Sequence, residues 1–218
     1  MRQVTLKYYG KRWKMNNPGA GRVGFHYNKG AVYERQLLVD IYQHRLTGSA
    51  FDIGAHIGNH ALWFSVVCGL RTYAWEPHDA SRAQLLANIA LNRAPIEVYD
   101  WGAADRSTTA RFTPGFWLEF DPAREGAAME MDHGDVKVHP IDDMLDVPDL
   151  ALVKLDIEGM EAHALRGLVR HLRRSRPLVY CEAHTDADIA AQGEVVEPLG
   201  YRLTKQIQMG SRVVRWSA

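Results

Sequence analysis

Along this chain the hydrophobic pattern changes period from block to block. SAFDI (49–53) is a continuous apolar run that reads as a buried strand, and a helix is predicted over roughly 59–68. RTYAWE (71–76) predicts a second strand, and ASRAQLLANIALN (80–92) a helix with Leu85, Leu86, Ile89 and Ala90 at helical spacing. IEVYDWGA (96–103) predicts a third strand. ALVKLDI (151–157) is apolar enough to be buried on both faces. An amphipathic helix, EAHALRGLVRHLRR (161–174), follows, then the strand PLVYCEA (177–183) and a helix over about 187–198. YRLTKQ and SRVVRWS predict a closing hairpin around Met209–Gly210. Alternating strands and helices imply a parallel sheet covered on both sides, with the last hairpin adding an antiparallel strand at one end. Residues 105–140 break the rhythm and predict an inserted hairpin plus loops.

Composition changes this picture little, but the placement of charge matters. The chain has 218 residues and equal numbers of basic and acidic side chains, so its net charge does not point to a polyanionic partner. Residues 1–30 hold seven Lys or Arg and no Asp or Glu, which marks a basic N-terminal arm or lid ahead of a main domain at 31–218. Residues 119–149 are rich in acid, and Arg166, Arg170, Arg173, Arg174 and Arg176 line a helix; all three blocks read by default as solvated faces. Cys68 and Cys181 lie in apolar stretches and predict reduced thiols, which suits the cytoplasm. The basic N-terminus is not followed by an apolar run, so neither a leader nor a membrane span is expected.

The candidate chemistry sits where strands end. In doubly wound sheets, ligands lie beyond the carboxyl ends of the strands. Asp52, Glu76, Asp100 and Asp156 fall at four such ends. The turn after the first strand, D-I-G-A-H-I-G, is neither a dinucleotide fingerprint nor a phosphate loop. A carboxylate there repels a pyrophosphate, whereas a cofactor with a ribose diol and a cationic group is welcome. S-adenosylmethionine has both, and Gly54 and Gly58 let the backbone approach it closely.

FDIGAHIGNHALWFS, YAWEPH, LLANIALN, IEVYDWGAAD, HPIDDML, LVKLDIEGMEAHALRG and PLVYCEAH occur in the order found in FkbM-type S-adenosylmethionine-dependent methyltransferases, which the chain resembles over residues 25–184. K-x-D-x-E-G-x-E followed by L-R-G, and the E-P pair after the second strand, are the most specific of these motifs. The resemblance implies an α/β class I methyltransferase fold, a Rossmann-like, doubly wound, seven-stranded and mostly parallel sheet with an antiparallel C-terminal strand. It also implies methyl transfer, most often to the oxygen of a small-molecule or sugar hydroxyl. Carried over, Asp52, Gly54, Ala55 and Gly58 line the methionine part, with Asn59 among the cofactor-binding residues. Glu76 binds the ribose hydroxyls, and Asp100, Trp101, Gly102 and Ala103 fall near the adenine. Asp156 lies beside the sulfonium and the incoming substrate.

A hydroxyl acceptor can also need a base, for which Asp156, Glu158, Glu182 and His184 are the candidates, Asp156, Glu182 and His184 ahead of Glu158. Glu158 and Glu161 bracket Gly159 and also fit a purely helix-capping role, the more so for Glu161. These oxygen-rich side chains suit a divalent cation such as magnesium, but the reading without a metal ranks first. His56 and His60 are four apart without the glutamate of a zinc-protease motif, and read as loop and helix-surface residues. Leu62, Trp63, Val66 and Val67 read as core. Lysines, arginines and aromatics in the first thirty residues leave nucleic-acid methylation as a lower-ranked alternative, alongside a cofactor-binding module without chemistry. For those thirty residues the reading ranked first is an N-terminal lid, or a strand pair packing over the cofactor, with Tyr27, Tyr33 and Glu34 as the candidate lid contacts.

Overall fold

The computed structural model describes residues 2–111, 130–132, 134–208 and 212–218. The chain divides into two units, Met1–Asp100 and Trp101–Ala218.

The first unit begins with an antiparallel pair, β1 (Arg2–Tyr8) and β2 (Lys11–Asn17). Period-two alternation turns Leu6, Trp13 and Met15 into the core and leaves Lys7, Arg12 and Lys14 exposed. Helices α1 (Gly21–Asn28) and α2 (Arg35–Gln43) follow. Next come the parallel strands β3 (Ser49–Ile53), β4 (Arg71–Trp75) and β5 (Ile96–Tyr99), with helices α3 (Asn59–Leu62) and α4 (Asp79–Asn92) in the crossovers. All five residues of β3 are buried, as a central parallel strand requires.

Two sequence expectations change here. The helix expected over roughly 59–68 is α helical only to Leu62. Trp63–Val67 then forms a wider π-helical turn, in which the Cys68 N–H reaches the Trp63 carbonyl at 3.0 Å. The indole of Trp63, expected in the core, is fully buried and meets Tyr8 and Trp13 edge-on at 5.2 and 5.8 Å. On α4 the buried line is Ser81, Leu85 and Asn88, whereas Leu86 is 49% exposed. Asn88 displaces the apolar expectation because both ends of its amide are paired: it donates to the Ile57 carbonyl at 2.8 Å and accepts from the Asn16 N–H at 2.8 Å.

The second unit begins after Asp100, so the expected strand 96–103 is broken: β5 ends at Tyr99, and β6 (Gly102–Ala103) belongs to a different sheet. That smaller sheet contains β6, β7 (Thr108–Arg111), β8 (Glu130–Met131) and β9 (Val136–His139) in the order β6-β9-β7-β8. The rest of the expected 105–140 insertion, residues 112–129 and 133, lies outside the described residues. Helix α5 (Ile141–Met144), strand β10 (Leu150–Leu155), helices α6 (Glu161–Arg166) and α7 (Val169–Ser175), strand β11 (Leu178–Ala183) and helix α8 (Asp186–Val196) follow. The chain closes with β12 (Arg202–Gln208) and β13 (Arg212–Ser217); residues 209–211, where the hairpin turn was expected, lie outside the described residues.

The amphipathic stretch 161–174 is two helices rather than one. The break falls at Gly167, where a Cβ would lie 2.0 Å from the Ala104 carbonyl oxygen. The Gly167 carbonyl accepts from the Asp142 N–H at 2.9 Å, so close backbone packing stops the first helix.

Seven strands make the main sheet, in the order β12-β13-β11-β10-β3-β4-β5. The described pairs are parallel except those of β13, which runs antiparallel to both β11 and β12. This is the class I methyltransferase arrangement expected above, with the antiparallel strand one place in from the edge. Among the described residues no helix is long and apolar enough to cross a membrane. Both cysteines are free thiols, and burial pushes Cys68 up to about 12 and Cys181 well above its ordinary value.

Candidate active site

In the first unit, β3 delivers the chain into the glycine turn. Asp52 is fully buried within the strand, and the turn that follows uses left-handed backbone at Gly54, His56 and Gly58. Gly58 is needed twice over: its φ is 92°, and a Cβ there would meet Leu85 Cδ1 at 2.7 Å.

The amides of this turn point into the protein. Gly54 and Ala55 donate to the Trp75 carbonyl at 3.0 and 2.9 Å, and Gly58 donates to the Ala55 carbonyl at 2.8 Å. The His56 N–H donates to Glu76 Oε2 at 2.7 Å. In a phosphate-binding loop those N–H groups would face the ligand. Here all four are spent on the strand end, the turn itself and a carboxylate.

Glu76 follows β4 directly and is 4% exposed. Its second oxygen accepts from the His78 N–H at 2.9 Å, so one carboxylate joins the glycine turn to the turn before α4. Arg82 clasps the same segment, donating to the Glu76 and Pro77 carbonyls at 3.1 and 2.9 Å. A carboxylate offers about four acceptor directions, so two amide bonds orient Glu76 without exhausting it. Asp100 follows β5 directly and is exposed, whereas Ala55 and Asn59 are buried.

A second layer, which periodicity cannot reveal, surrounds the start of α3. Asn59 Oδ1 accepts from Tyr27 Oη and from the Tyr33 N–H, both at 3.2 Å, while its Nδ2 donates to the Tyr33 carbonyl at 3.1 Å. His60 Nε2 lies 2.9 Å from Glu34 Oε2, and both side chains are buried. His60 is therefore not the surface residue expected from the sequence. Its partner is 26 positions away, beyond the reach of any local pattern. The candidate lid residues Tyr27, Tyr33 and Glu34 all engage this helix start.

The second unit holds the other candidates. Asp156 follows β10, and its Oδ2 lies 3.2 Å from the Nζ of buried Lys154. The strand does not run on past Leu155, so Glu158 is placed by a turn, with φ 57°. Glu182 is buried in β11 and His184 follows that strand. The Nε2 of His184 lies 3.2 Å from Glu158 and 3.5 Å from Glu182. The hydrogen bond to Glu158 is the largest cause that raises the His184 pKa above its ordinary value. A capping box fixes the His184 backbone: Asp188 accepts from the His184 and Thr185 N–H groups at 2.9 and 2.8 Å, and Thr185 accepts from Asp188 at 3.2 Å. Ligand-type atoms of Glu158, Glu182 and His184 lie within 4.8 Å of one another, the one such group among the described residues.

Glu161 is buried and bonds the turn before α6, whereas the capping alternative expected bonds to the helix's own amides. Its oxygens accept from the Ile157 and Gly159 N–H groups at 2.9 and 3.0 Å and hold the turn that presents Glu158. Trp101 is buried with its ring edge-on to His139 at 5.6 Å, and Gly102 and Ala103 are buried in β6.

The family model described as the methyltransferase FkbM domain matches residues 52–203. None of the curated proteins compared with the chain matches it. Among solved structures, the chain resembles methyltransferase FkbM from Methylobacillus flagellatus KT with a TM-score of 0.56 and 20% identity, over 77% of this chain and 43% of that one. It resembles precorrin-6y C5,15-methyltransferase from Geobacter metallireducens GS-15 with a TM-score of 0.54 and 14% identity, over 84% and 87%. A third likeness is to Pyrococcus abyssi tRNA (uracil-54, C5)-methyltransferase in complex with S-adenosyl-L-homocysteine: TM-score 0.54, 12% identity, over 99% and 44%. At these identities the likeness is one of fold. The chain spans less than half the length of the first and third of these structures.

Proposed function

The chain belongs to the methyltransferase FkbM family, and from that premise we propose that it is an S-adenosylmethionine-dependent methyltransferase acting on the oxygen of a small-molecule or sugar hydroxyl. The observation that carries the cofactor reading is the inward aim of the glycine-turn amides, with a carboxylate held at the same turn. A phosphorylated ligand would meet negative charge and find no donors from those four amides. A ribose diol donates to a carboxylate, and a cationic sulfur compound is attracted to one.

In this reading Glu76 receives the ribose hydroxyls, and Asp52, Gly54, Ala55, Gly58 and Asn59 line the methionine portion. Asp100, Trp101 and Gly102 serve the adenine end. The cofactor, when bound, supplies an electrophilic methyl carbon on a sulfonium. Everything else falls to the chain: orienting the acceptor, excluding water and taking up a proton. His184 takes the hydroxyl proton at a ring nitrogen, Glu182 and Glu158 hold that ring, and Asp156 is balanced by Lys154. No metal is assigned a step.

Isothermal calorimetry on the whole chain tests the cofactor. S-adenosylmethionine and S-adenosylhomocysteine are expected to bind, and ATP and NAD are not. Binding of NAD or ATP without the sulfur compounds would overturn the reading.

The base has its own test. A base must lose its proton before it can act, so kcat should rise with pH along a limb set by His184. Because the Glu158 bond raises the His184 pKa, the limb should lie above the ordinary imidazole range of about 6.5. Glu158→Gln removes the largest raising cause and should move the limb to lower pH. An unchanged limb would leave Glu158 a structural residue and His184 unsupported as the base.

A further inference from the structure

The basic arm is a built surface, and its outward face has a chemistry that the methyl-transfer reading does not use. In the β1–β2 pair, Gln3 faces Asn16, Thr5 faces Lys14 and Lys7 faces Arg12. Leu6, Trp13 and Met15 occupy the alternate, buried positions, so Gln3, Thr5, Lys7, Arg12, Lys14 and Asn16 share the other face. Gln3, Thr5, Lys7, Arg12 and Lys14 are exposed, and Asn16 is half-buried.

Two like charges set directly opposite each other in a strand pair destabilise it. Lys7 and Arg12 are such a pair, in a segment of thirty residues without one acid. Among the described residues, none of Lys7, Arg12 and Lys14 forms an ion pair that would relieve the repulsion.

The hairpin is held firmly from behind. Asn92 grips Lys14 through both backbone groups, each at 2.7 Å, and Asn88 accepts from the Asn16 N–H at 2.8 Å. These bonds occupy the outer edge of β2, so on that strand the face rather than the edge is open to a partner. Tyr9, at the turn, stacks on Tyr42 with ring centroids 3.9 Å apart.

The six outward side chains decide what kind of partner fits. All are hydrogen-bond donors of the types that hold phosphate oxygens. Alternate residues on a strand lie about 7 Å apart, which presents the cations as a regular row. Not one of the six is apolar or aromatic. A protein partner is anchored by buried aromatic or apolar side chains, and three cations hold an anionic membrane surface only weakly without an inserted apolar face. A polyanion read through its backbone needs neither. We infer that the outward face of the β1–β2 hairpin docks the sugar–phosphate chain of a nucleic acid.

The test is fluorescence anisotropy with a fluorescein-labelled single-stranded RNA of about 20 nucleotides, titrated with the whole chain across a range of salt. The variant is Lys7→Gln, Arg12→Gln, Lys14→Gln. Its control, Lys137→Gln, Arg166→Gln, Arg173→Gln, removes the same charge from exposed positions of the second unit. Wild type is expected to bind, with log affinity falling linearly against log salt. The hairpin variant should lose about two units of that slope, from three single-strand phosphate contacts, and at least tenfold in affinity near 0.1 M salt. The control should behave as wild type, and the hairpin variant should melt no lower than wild type, because it loses a repulsive pair. Equal slopes in all three proteins, or an equal loss in the control, would overturn the proposal. So would competition by polyglutamate as strong as by unlabelled RNA, or capture by phosphatidylserine vesicles in the absence of RNA binding.

Discussion

Glu76→Ala is expected to weaken S-adenosylmethionine binding at least about tenfold, the scale of one lost pair of charge-assisted hydrogen bonds. Two effects act together. The carboxylate that would receive the ribose diol is gone, and the amides of His56 and His78 lose their common acceptor. Both amides sit against a side chain only 4% exposed, so stability should also fall, by about 1–3 kcal/mol for each donor left unsatisfied. Calorimetry at a temperature where the variant remains folded separates the two effects. Glu76→Gln sharpens the distinction, because it keeps an oxygen for one amide and loses the charge. Its stability should lie between those of wild type and Glu76→Ala, while its affinity should still fall. A folded Glu76→Ala protein that binds the cofactor as wild type does would remove the ribose assignment.

The second large effect concerns stability against pH at Glu161. Burial, its largest cause, raises this carboxyl to about 7, and the Asp156 charge adds to the rise. A carboxyl with a folded pKa above its unfolded value binds more protons when folded. The protein therefore loses stability from this group as pH rises from about 4.5 through about 7, and the loss is complete above that. Glu161→Gln removes the titration but exchanges one of the two oxygens that hold Ile157 and Gly159 for an amide nitrogen. At pH 5 the variant should be less stable than wild type, by about 1 kcal/mol. Between pH 5 and pH 8 the difference should move in the variant's favour by about 2 to 3 kcal/mol. Urea unfolding of both proteins at the two pH values measures it. A difference independent of pH would mean that Glu161 is ionised throughout.

How much of this was legible in the chain differs from residue to residue. Gly54, Gly58, Glu76 and Asp156 could be placed at strand ends because strand, turn and helix are written in local periods and in turn residues. The same local rules failed on α4. Leu86 reads as core by spacing yet is exposed, while Asn88 is fully buried, because its two partners, Ile57 and Asn16, are 31 and 72 positions away. They failed again at His60, whose exposure depended on whether Glu34 folded back onto it. The N-terminal hairpin was legible as a lid or a strand pair, but not its bounds or its inward face, for a related reason: its inward residues are buried against partners such as Trp63, far along the chain.

By itself, then, the sequence determined the α/β class, the alternation that builds a parallel sheet, and the acids and glycines offered at the strand ends. These follow from side-chain period and backbone sterics, which act over a few residues. Tertiary structure alone decided where the glycine-turn amides point, which carboxylates hold His184, and which face of the basic hairpin is turned outward. Each depends on a donor or a packing surface supplied from far along the chain, and burial makes such a partner obligatory without the local sequence specifying which one it is.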